Sequence, residues 1–252
     1  MTRVTAILNH KGGIGKTTTA HALTTALTLN GYKVLAVDAD GQSNLTLLMN
    51  GERNAAGTYE AMNEGTAPNV QHTAAGDLLG ANSKLNKADR QFISRYEYTS
   101  LKEAIAPLLP MYDHVIIDCP PSTGVMNENA IEAATDLIIP VQPAILAASG
   151  LVELFQVIDS VKRKDNPSLS IAGLLFTLVD KRTTAHREYI EQIRELAEAN
   201  GLPIYETIIY TAIALQEAQT HRTSVYEYDP KSPTAKQYAL LTKEYLLQEM
   251  TR

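Results

Sequence analysis

The chain has 252 residues, of which 44% are hydrophobic and 20% are charged, a balance typical of a globular protein with a full core. The formal net charge of −6 disfavours nucleic-acid binding by the molecule as a whole, so any contact with DNA requires a local basic patch. The single cysteine, Cys119, excludes an internal disulfide and an all-cysteine zinc or iron–sulfur site within one chain, and it favours a reducing compartment such as the cytoplasm. We expect neither a secretion signal nor a membrane span, because the apolar run after Arg3 is short and no apolar stretch approaches ~20 residues.

Short apolar runs alternate with longer segments of helical periodicity along the chain. The apolar runs, rich in Val, Ile and Leu, predict buried strands over residues 4–8, 34–37, 115–117, 137–141 and 171–178. The periodic segments predict helices over residues 17–29, 101–109, 127–134, 148–164, 184–200 and 234–250. Gly31 and Gly201 follow two of these helices, where C-caps are expected. The alternation predicts a three-layer α/β fold, with a mostly parallel sheet covered by helices on both faces.

No internal repeat, low-complexity tract or Pro/Gly/Ser-rich linker divides the chain. We therefore expect a single domain over residues 1–252. A glycine-rich segment already begins at Lys11, so we expect no additional DNA-binding domain before it.

The glycine-rich segment is the most informative feature of the sequence. It consists of Lys11, Gly12, Gly13, Ile14, Gly15, Lys16, Thr17 and Thr18. It follows the first predicted strand and opens the first predicted helix, which is the setting that a phosphate-binding loop requires. Three glycines let the backbone wrap closely around phosphate with its N–H groups pointing inward, and the helix adds its positive N-terminal end.

The polar side chains of this loop predict the chemistry of a nucleotide site. Lys16 supplies a point charge for the β- and γ-phosphates, while Thr17 offers a hydroxyl to Mg²⁺ and Thr18 offers one to a phosphate. The strict pattern G-x-x-x-x-G-K-[ST] matches only in part, because His10 occupies its first position. Lys11 is a second positive charge that one nucleotide does not need. It indicates that two copies of the protein meet across the nucleotide.

Acidic residues end two of the predicted strands. Asp118 follows the run 115–117 and would lie at the carboxyl edge of the sheet, beside the loop, where it can hold the shell of a Mg²⁺ ion. Asp38 and Asp40 follow the run 34–37, and alternation places both on one side if the strand continues that far. Asp40 is the better candidate to orient or deprotonate an attacking water. Asp38 would support the waters of Mg²⁺ or cap the next turn.

These residues resemble the ParA/MinD family of deviant Walker-type ATPases, and specifically its ParA partition ATPases. The resemblance covers nearly the whole chain. It is carried by the loop 11–18, the first switch segment 38–46, the Walker B strand and second switch 112–121, the stretch 140–143, the pair Arg182-Thr183 and the tail 225–232. The loop is shared by the superfamily, whereas the Asp-Pro-Lys-Ser sequence of the tail is more specific to ParA.

The resemblance implies an ATPase that binds ATP with Mg²⁺ and forms a face-to-face homodimer with ATP between the subunits. By position, Lys11 is similar to the lysine that reaches the partner's nucleotide and Lys16 to the lysine that acts within its own subunit. Thr17 corresponds to the Mg²⁺ ligand, Asp40 to the catalytic aspartate and Asp118 to the Walker B aspartate, both near the metal. The ATP dimer of this family binds DNA without sequence preference, so the resemblance implies association with the nucleoid. A ParB-like centromere-binding partner stimulates the slow hydrolysis and releases the DNA.

The DNA contacts depart from the pattern of the family. ParA relatives often carry the segment Ile-Pro-Arg-Asn-Val-Arg, and the matching residues 209–214 contain neither arginine. Arg182 is kept at the other family position. A patch late in the chain would draw on Lys181, Arg182, Arg187 and Arg222, with His221, Lys231 and Lys236 as further members. The alternative interpretation of these residues is an ordinary solvated surface.

Two other classes compete with this interpretation. A membrane-positioning ATPase of the MinD type ends in a basic amphipathic helix, whereas residues 238–250 combine helical spacing with mixed charge and favour a helix packed on the core. A metabolic P-loop ligase or kinase stays open, because the loop does not name the phosphate acceptor. Cys119 is interpreted as a packing residue, and His10 as a residue that fills the first loop position.

Overall fold

The computed structural model describes residues 2–64, 67–87, 91 and 98–251, and its central feature is a seven-stranded sheet. The strands are β1 (Arg3–Ile7), β2 (Val34–Asp38), β3 (Val70–Thr73), β4 (Gly76–Leu79), β5 (His114–Asp118), β6 (Asp136–Val141) and β7 (Ser170–Phe176). Their order across the sheet is β3-β4-β2-β5-β1-β6-β7. All neighbouring pairs are parallel except the pair at the edge, where β3 runs antiparallel to β4. The carboxyl ends of β1, β2 and β5 therefore lie side by side at the centre of one edge.

Helices cover the sheet on both faces, as the sequence predicts. They are α1 (Lys16–Leu29), α2 (Asn44–Leu48), α3 (Thr58–Glu64), α4 (Ser100–Ile105), α5 (Val125–Ala133), α6 (Ala147–Lys164), α7 (Thr184–Ala199), α8 (Ile213–Thr220), α9 (Val225–Tyr228) and α10 (Pro233–Leu247). Successive residues of one strand enter opposite cores, since Val115 and Ile117 belong to one buried cluster and Ile116 to the other. This arrangement explains why the strands are continuous apolar runs, and it confirms the predicted fold class.

Two predicted elements end earlier than expected. The helix predicted over 101–109 stops at Ile105 and is followed by a short 3-10 turn over Leu109–Met111, because Pro107 interrupts the helical hydrogen bonds. The strand predicted over 171–178 ends at Phe176. Leu178 adopts a left-handed backbone with φ of 53°, which an extended strand does not allow.

The hairpin β3–β4 and the helices α2, α3, α8 and α9 are absent from the sequence prediction. They are short or carry mixed polar residues, so that neither periodicity stands out in them. The two predicted C-cap glycines are confirmed. Gly31 and Gly201 follow α1 and α7 with φ of 87° and 62°, and they close the helices with backbone hydrogen bonds.

The last long helix, α10, packs on the core beside α1. Tyr238, Leu241 and Tyr245 on its inner face are buried, and the guanidinium of Arg3 lies 3.7 Å from the ring centroid of Tyr245. This confirms the packed helix that the sequence favours over a lipid-binding one. Within the described residues, no helix is both long and apolar enough to cross a membrane.

Candidate nucleotide site

The glycine-rich loop connects β1 to α1 at the carboxyl edge of the sheet. Gly13 and Gly15 have φ of 72° and 89°, a left-handed region that side chains with a Cβ rarely adopt. Ile14 between them is buried, and its carbonyl accepts a hydrogen bond of 2.7 Å from the hydroxyl of Thr177 at the end of β7. The middle of the loop is therefore held by Thr177, which directly follows β7.

A second anchor holds the start of the loop. The side chain of Asn9 accepts a hydrogen bond of 3.0 Å from the N–H of Lys11 and donates one of 2.8 Å to the carbonyl of Pro140 in β6. The side chain of Lys11 is exposed and makes no salt bridge with a described residue. The first loop lysine thus has a fixed backbone and a free ammonium group.

Lys16 differs from Lys11 in being buried, with 6% of its surface exposed. Its ammonium Nζ donates a hydrogen bond of 2.8 Å to the carbonyl oxygen of Lys11 across the loop. Burial lowers the pKa of Lys16, and the nearby charge of Asp118 acts in the opposite direction. The lysine bridges the loop from inside, where it can transfer its hydrogen bond to a phosphate oxygen.

Asp118 ends β5 between the other two central strands. It is the register partner of Ile7 in β1 and of Asp38 in β2, and it is completely buried. Neither carboxylate oxygen has a hydrogen-bond partner of normal geometry among the described residues. Burial and the charge of Asp38 raise the pKa of Asp118 well above its usual value. The hydroxyl of Thr17 lies close enough to lower this pKa in part, although the two side chains do not form a hydrogen bond of normal geometry. A cation or a metal-bound water would supply the hydrogen bonds or the charge that this buried carboxylate lacks.

Asp38 and Asp40 take different positions, because β2 ends at Asp38 and does not continue far enough for alternation to place both on one side. Asp38 is the last residue of β2, and its carboxylate accepts hydrogen bonds from the backbone N–H and hydroxyl of Thr46 and from the backbone N–H of Asp40. Its pKa is raised by burial. Asp40 lies in the turn after the strand, where its carboxylate accepts a hydrogen bond of 2.9 Å from the N–H of Gln42. The geometry therefore gives Asp38 the turn-capping role and leaves Asp40 nearer the surface of the site.

The loop forms one wall of a cavity of 390 Å³. The predicted residues that line it are Gly12, Gly13, Gly15, Lys16, Thr17, Thr18 and Asp40. Ile14 and Asp118 lie beneath the surface, and Lys11 faces a neighbouring cavity. The opposite wall was not predicted and consists of Asn44, Pro121, Leu178, Thr211, Ala212, Leu215, Gln216 and Gln219. Asn44 and Pro121 belong to the two switch segments, whereas the glutamines of α8 carry no sequence signal.

Gln219 makes the closest contact between the two walls. Its side-chain Nε2 donates a hydrogen bond of 2.6 Å to the hydroxyl of Thr18 at the start of α1. The same hydroxyl is predicted to bind a phosphate, so Gln219 occupies a position that a nucleotide would contest. The far wall is thereby tied to the phosphate loop.

The chemistry of these groups fits a magnesium nucleotide. Left-handed glycines, a helix N-terminus and a buried lysine suit the phosphates, and the buried carboxylate of Asp118 suits the metal-bound waters. The described residues contain no cluster of three or more His, Cys, Asp or Glu side chains able to hold a metal. A metal at this site would therefore depend on Thr17, on phosphate oxygens and on water, the coordination that Mg²⁺ prefers.

The basic residues of the predicted DNA patch occupy two locations. Arg182 forms two hydrogen bonds, of 3.0 and 2.9 Å, with the carboxylate of Asp180, so that its charge is already paired. The ammonium of Lys181 lies 3.9 Å from the ring centroid of Tyr210. Arg187 follows on the first turns of α7, where it reaches Thr184 at 3.5 Å, whereas Arg222 follows α8 and lines a separate cavity.

The remaining candidates are structural. Cys119 is buried in the hydrophobic core, and burial raises the pKa of its thiol, which disfavours a nucleophilic thiolate. His10 is partly buried, its Nε2 lacks a partner among the described residues, and burial lowers its pKa. The burial of Cys119 agrees with the packing role predicted for it, and the interpretation of His10 as the residue that fills the first loop position stays a prediction.

A glycine-rich loop between β1 and α1, a buried lysine and a buried aspartate on the neighbouring strand define a P-loop nucleoside triphosphatase of the three-layer α/β class. Residues 2–171 match the AAA domain family. The chain is 34% identical over 258 residues to the chromosome partitioning protein ParA of Myxococcus xanthus, covering 97% of this chain and 88% of that protein. It is 32% identical over 257 residues to the sporulation initiation inhibitor protein Soj of Bacillus subtilis, covering 97% and 98%.

A solved structure shows the same fold. The cobyrinic acid a,c-diamide synthase of Mycobacterium smegmatis, with bound ADP and magnesium, is 33% identical and superposes with a TM-score of 0.86 over 100% of this chain and 96% of that chain. The chain thus belongs to the AAA domain family and, within it, to the ParA/MinD group of ATPases. It is an ATPase, and its family binds nucleotide and magnesium.

Proposed function

We propose that this ATPase forms a homodimer with ATP between the subunits, binds DNA without sequence preference in that form, and segregates DNA together with a ParB-like centromere-binding partner. The observation that carries the proposal is the exposed ammonium group of Lys11, fixed at its backbone beside the cavity for the nucleotide. The similarity to partition proteins over nearly the whole chain supports the biological role. The protein would act in the cytoplasm as a single domain over residues 1–252 and would join the nucleoid when ATP is bound.

The surface around Lys11 supports self-association. Ile145 and Leu146, between β6 and α6, are 78% and 72% exposed, which is unusual for aliphatic side chains. They line a cavity of 430 Å³ together with His10 and Lys11. In a two-fold dimer the same patch meets its copy, so an apolar surface beside the lysine would be covered when the nucleotide faces meet.

The residues of the site suggest how hydrolysis proceeds. Magnesium, when bound, neutralises charge on the phosphate oxygens, and Thr17 and the water-linked Asp118 would hold it. Lys16 would position the β- and γ-phosphates, while Asp40, in the turn after β2, would orient the attacking water. Lys11 of the second copy would stabilise the charge that develops on the γ-phosphate. One subunit alone lacks that charge, so turnover should be slow until dimerisation and the partner complete the site.

DNA binding would have to arise from a local patch on an acidic protein. Lys181 is the strongest candidate, because its ammonium is held over Tyr210 and is not neutralised by a carboxylate among the described residues. Arg182 is already paired with Asp180, and Arg187 extends the patch along α7. The charge available to phosphates is therefore smaller than the count of basic residues indicates.

A DNA-retention assay with Mg·ATP, Mg·ADP and no nucleotide, repeated over a salt series, tests the proposal. We expect binding to a random duplex with Mg·ATP alone, and the logarithm of the binding constant should fall linearly with the logarithm of the salt concentration. Binding that does not depend on the nucleotide would contradict an ATP-controlled DNA switch. A parallel assay with anionic liposomes tests the MinD-like alternative, since sedimentation with lipid instead of DNA would replace the proposal.

A metabolic ligase is the second candidate, because the similar Mycobacterium smegmatis structure bears the name of a cobyrinic acid a,c-diamide synthase. Its test is hydrolysis of ATP in the presence of cobyrinic acid and an ammonia source. We expect no stimulation by these compounds. A stimulated rate with formation of an amide product would favour the ligase.

A further inference from the structure

A second cavity, of 480 Å³, lies on the side of α1 away from the sheet edge that carries the loop. Its walls come from α1, from the end of α2, from the turn between β3 and β4 and from the segment between α8 and α9. Its lining includes His21, Leu29, Met49, Ala75, Arg222 and Glu227. Its size lies within the range of small-molecule sites in proteins.

Three of the four elements that form this cavity also line the nucleotide site. In α1, Thr18 faces the nucleotide cavity and His21 faces the second one, a single turn further on. In α8, Gln219 lines the first cavity, and Arg222, three residues later, lines the second. The segment after Asp40 likewise lines the nucleotide cavity at the start of α2 and the second cavity at the end of α2. A change in the position of any of these elements alters both cavities.

Side-chain hydrogen bonds link the three elements. Gln219 donates to the hydroxyl of Thr18 at 2.6 Å, which joins α8 to α1. The side-chain Nδ2 of Asn50 donates to the carbonyl oxygen of Arg222 at 2.9 Å, which joins the end of α2 to the segment after α8. The two contacts connect the walls of the two cavities through direct bonds.

His21 is a polar group that the fold of the second cavity does not explain. Only 6% of its surface is exposed, and that surface belongs to the lining of the cavity. Its ring makes no hydrogen bond with a described residue, and its nitrogens are not among the fully buried unpartnered atoms, so that they are accessible from the cavity. Burial lowers the pKa of His21 to about 4, so the ring is neutral at physiological pH and can donate one hydrogen bond and accept another. A ligand inside the cavity would supply the missing partner.

The charges and polarity of the residues that line the second cavity indicate which kind of ligand would bind there. Arg222 is exposed and forms no salt bridge within the described part of the chain, so its cation is free for an anion. Glu227 already accepts a hydrogen bond of 2.6 Å from Thr223, and its negative charge disfavours a ligand with several anionic groups. Met49 and Ala75 are buried in the apolar wall, and Leu29 at the rim is 69% exposed. The lining combines one free cation with an apolar floor.

We propose that this second cavity binds an amphipathic small molecule with one carboxylate or sulfonate group on an apolar ring, and that its occupancy is coupled to the nucleotide site. The anion would pair with Arg222, the ring would cover Met49 and Leu29, and a polar atom would bind the ring of His21. The coupling follows from the shared elements and is reciprocal, since each ligand changes the affinity of the other by the same factor. The inference does not depend on DNA binding or on dimerisation.

The probe for this site is 8-anilino-1-naphthalenesulfonate, a monoanion on an aromatic body whose fluorescence rises on binding. The titration uses full-length protein saturated with Mg·ADP, so that the nucleotide cavity is filled. We expect saturable binding that weakens at least fivefold in Arg222→Gln, which removes the cation. It should also weaken at least fivefold in Ala74→Trp, which fills the mouth from an exposed turn position. Lys243→Gln is the matched control, because it removes an exposed basic residue outside the cavity and should leave binding unchanged.

The outcomes separate the two parts of the inference. A thermal shift caused by Mg·ADP shows that each variant is folded. The proposed binding site is wrong if the wild type and both cavity variants bind the probe with equal affinity. It is also wrong if the wild type shows no saturable binding. The probe should change the Kd for Mg·ADP at least twofold in the wild type and not in Ala74→Trp. An unchanged Kd in the wild type overturns the coupling. Neither result depends on whether the protein binds DNA, so failure here is distinguishable from failure of the proposed function.

Discussion

Asp38 and Asp118 are register partners at the ends of the adjacent strands β2 and β5, and both carboxyl groups are completely buried. Two carboxylates on neighbouring strands repel each other, and burial adds to the cost of ionising either. Asp38 is satisfied by three hydrogen bonds, whereas Asp118 has no hydrogen bond of normal geometry within the described residues. The site therefore stores unfavourable electrostatic energy that a bound cation would relieve.

Replacing Asp118 by Asn should stabilise the nucleotide-free protein at neutral pH while abolishing magnesium-dependent hydrolysis. The pKa of Asp118 in the folded protein lies above its usual value of 3.8. Between the unfolded-state pKa and the folded-state pKa, the folded protein therefore binds more protons than the unfolded chain. Stability of the wild type should therefore fall as the pH rises through this window, and the variant should lose that slope. We expect the variant to unfold at a higher urea concentration than the wild type at pH 7. The exposed Asp159→Asn is the control, and a variant less stable than the wild type would contradict the electrostatic account.

Gly15→Ala and Gly150→Ala should have opposite effects. Gly15 has φ of 89° in the phosphate loop, so a Cβ strains the backbone and displaces the N–H groups. We expect a loss of roughly 1–2 kcal/mol of stability and no detectable thermal shift on adding Mg·ADP. Gly150 lies inside α6, where a Cβ meets no atom within 4 Å, and alanine should stabilise that helix by about 0.5–1 kcal/mol with nucleotide binding retained. Normal nucleotide binding by Gly15→Ala would refute the role of the loop.

Stability should decline in mild acid because of His21. Burial lowers its pKa to about 4, whereas the unfolded chain titrates near 6.5. Between these values the unfolded state binds more protons, so stability is complete above pH 6.5 and is lost as the pH falls toward 4. This group should contribute a loss of about 2 kcal/mol between pH 7 and pH 5. The variant His21→Gln should show a shallower decline in unfolding experiments at the two pH values, and an identical decline would rule out His21 as the source.

Asp180→Asn should strengthen ATP-dependent DNA binding. The carboxylate of Asp180 holds the guanidinium of Arg182 by two hydrogen bonds, and removing its charge frees that cation for a phosphate. We expect the salt dependence of binding to steepen by about one unit of slope, and Lys181→Ala to make it shallower by about one unit. The measurement is DNA affinity over a salt series with Mg·ATP. Unchanged slopes in both variants would exclude this surface as the DNA contact.

The main features of the fold could be predicted from the sequence, because five strands are continuous apolar runs and the long helices show clear periodicity. The hairpin β3–β4 could not, since residues 70–73 alternate only weakly between polar and apolar. The glycine loop was visible because its chemistry lies in consecutive residues. The opposite wall of the nucleotide cavity was not visible in the sequence, because Gln216 and Gln219 come from a short helix without a motif and approach the loop only in the folded protein.

The charge relationships also depend on the folded structure. The sequence places acids after two strands, but only the strand register brings Asp38 opposite Asp118, and only the turn geometry separates Asp38 from Asp40. Likewise, Arg182 and Asp180 are neighbours in sequence, yet their pairing through two hydrogen bonds depends on the side-chain conformations. Contacts across strands and side-chain conformations are set by packing, which a single sequence does not display.

In the proposed mechanism, Lys11 acts on the nucleotide of the second subunit in an ATP-bound dimer. Its direct test is the mass in solution, measured by light scattering after size exclusion, of Asp40→Ala with Mg·ATP, with Mg·ADP and without nucleotide. Since this variant should bind ATP without hydrolysing it, we predict a dimer with Mg·ATP alone, and a monomer under all three conditions when Lys11→Ala is added. A monomer of Asp40→Ala in saturating Mg·ATP, or a dimer that forms without nucleotide or without Lys11, would contradict the account.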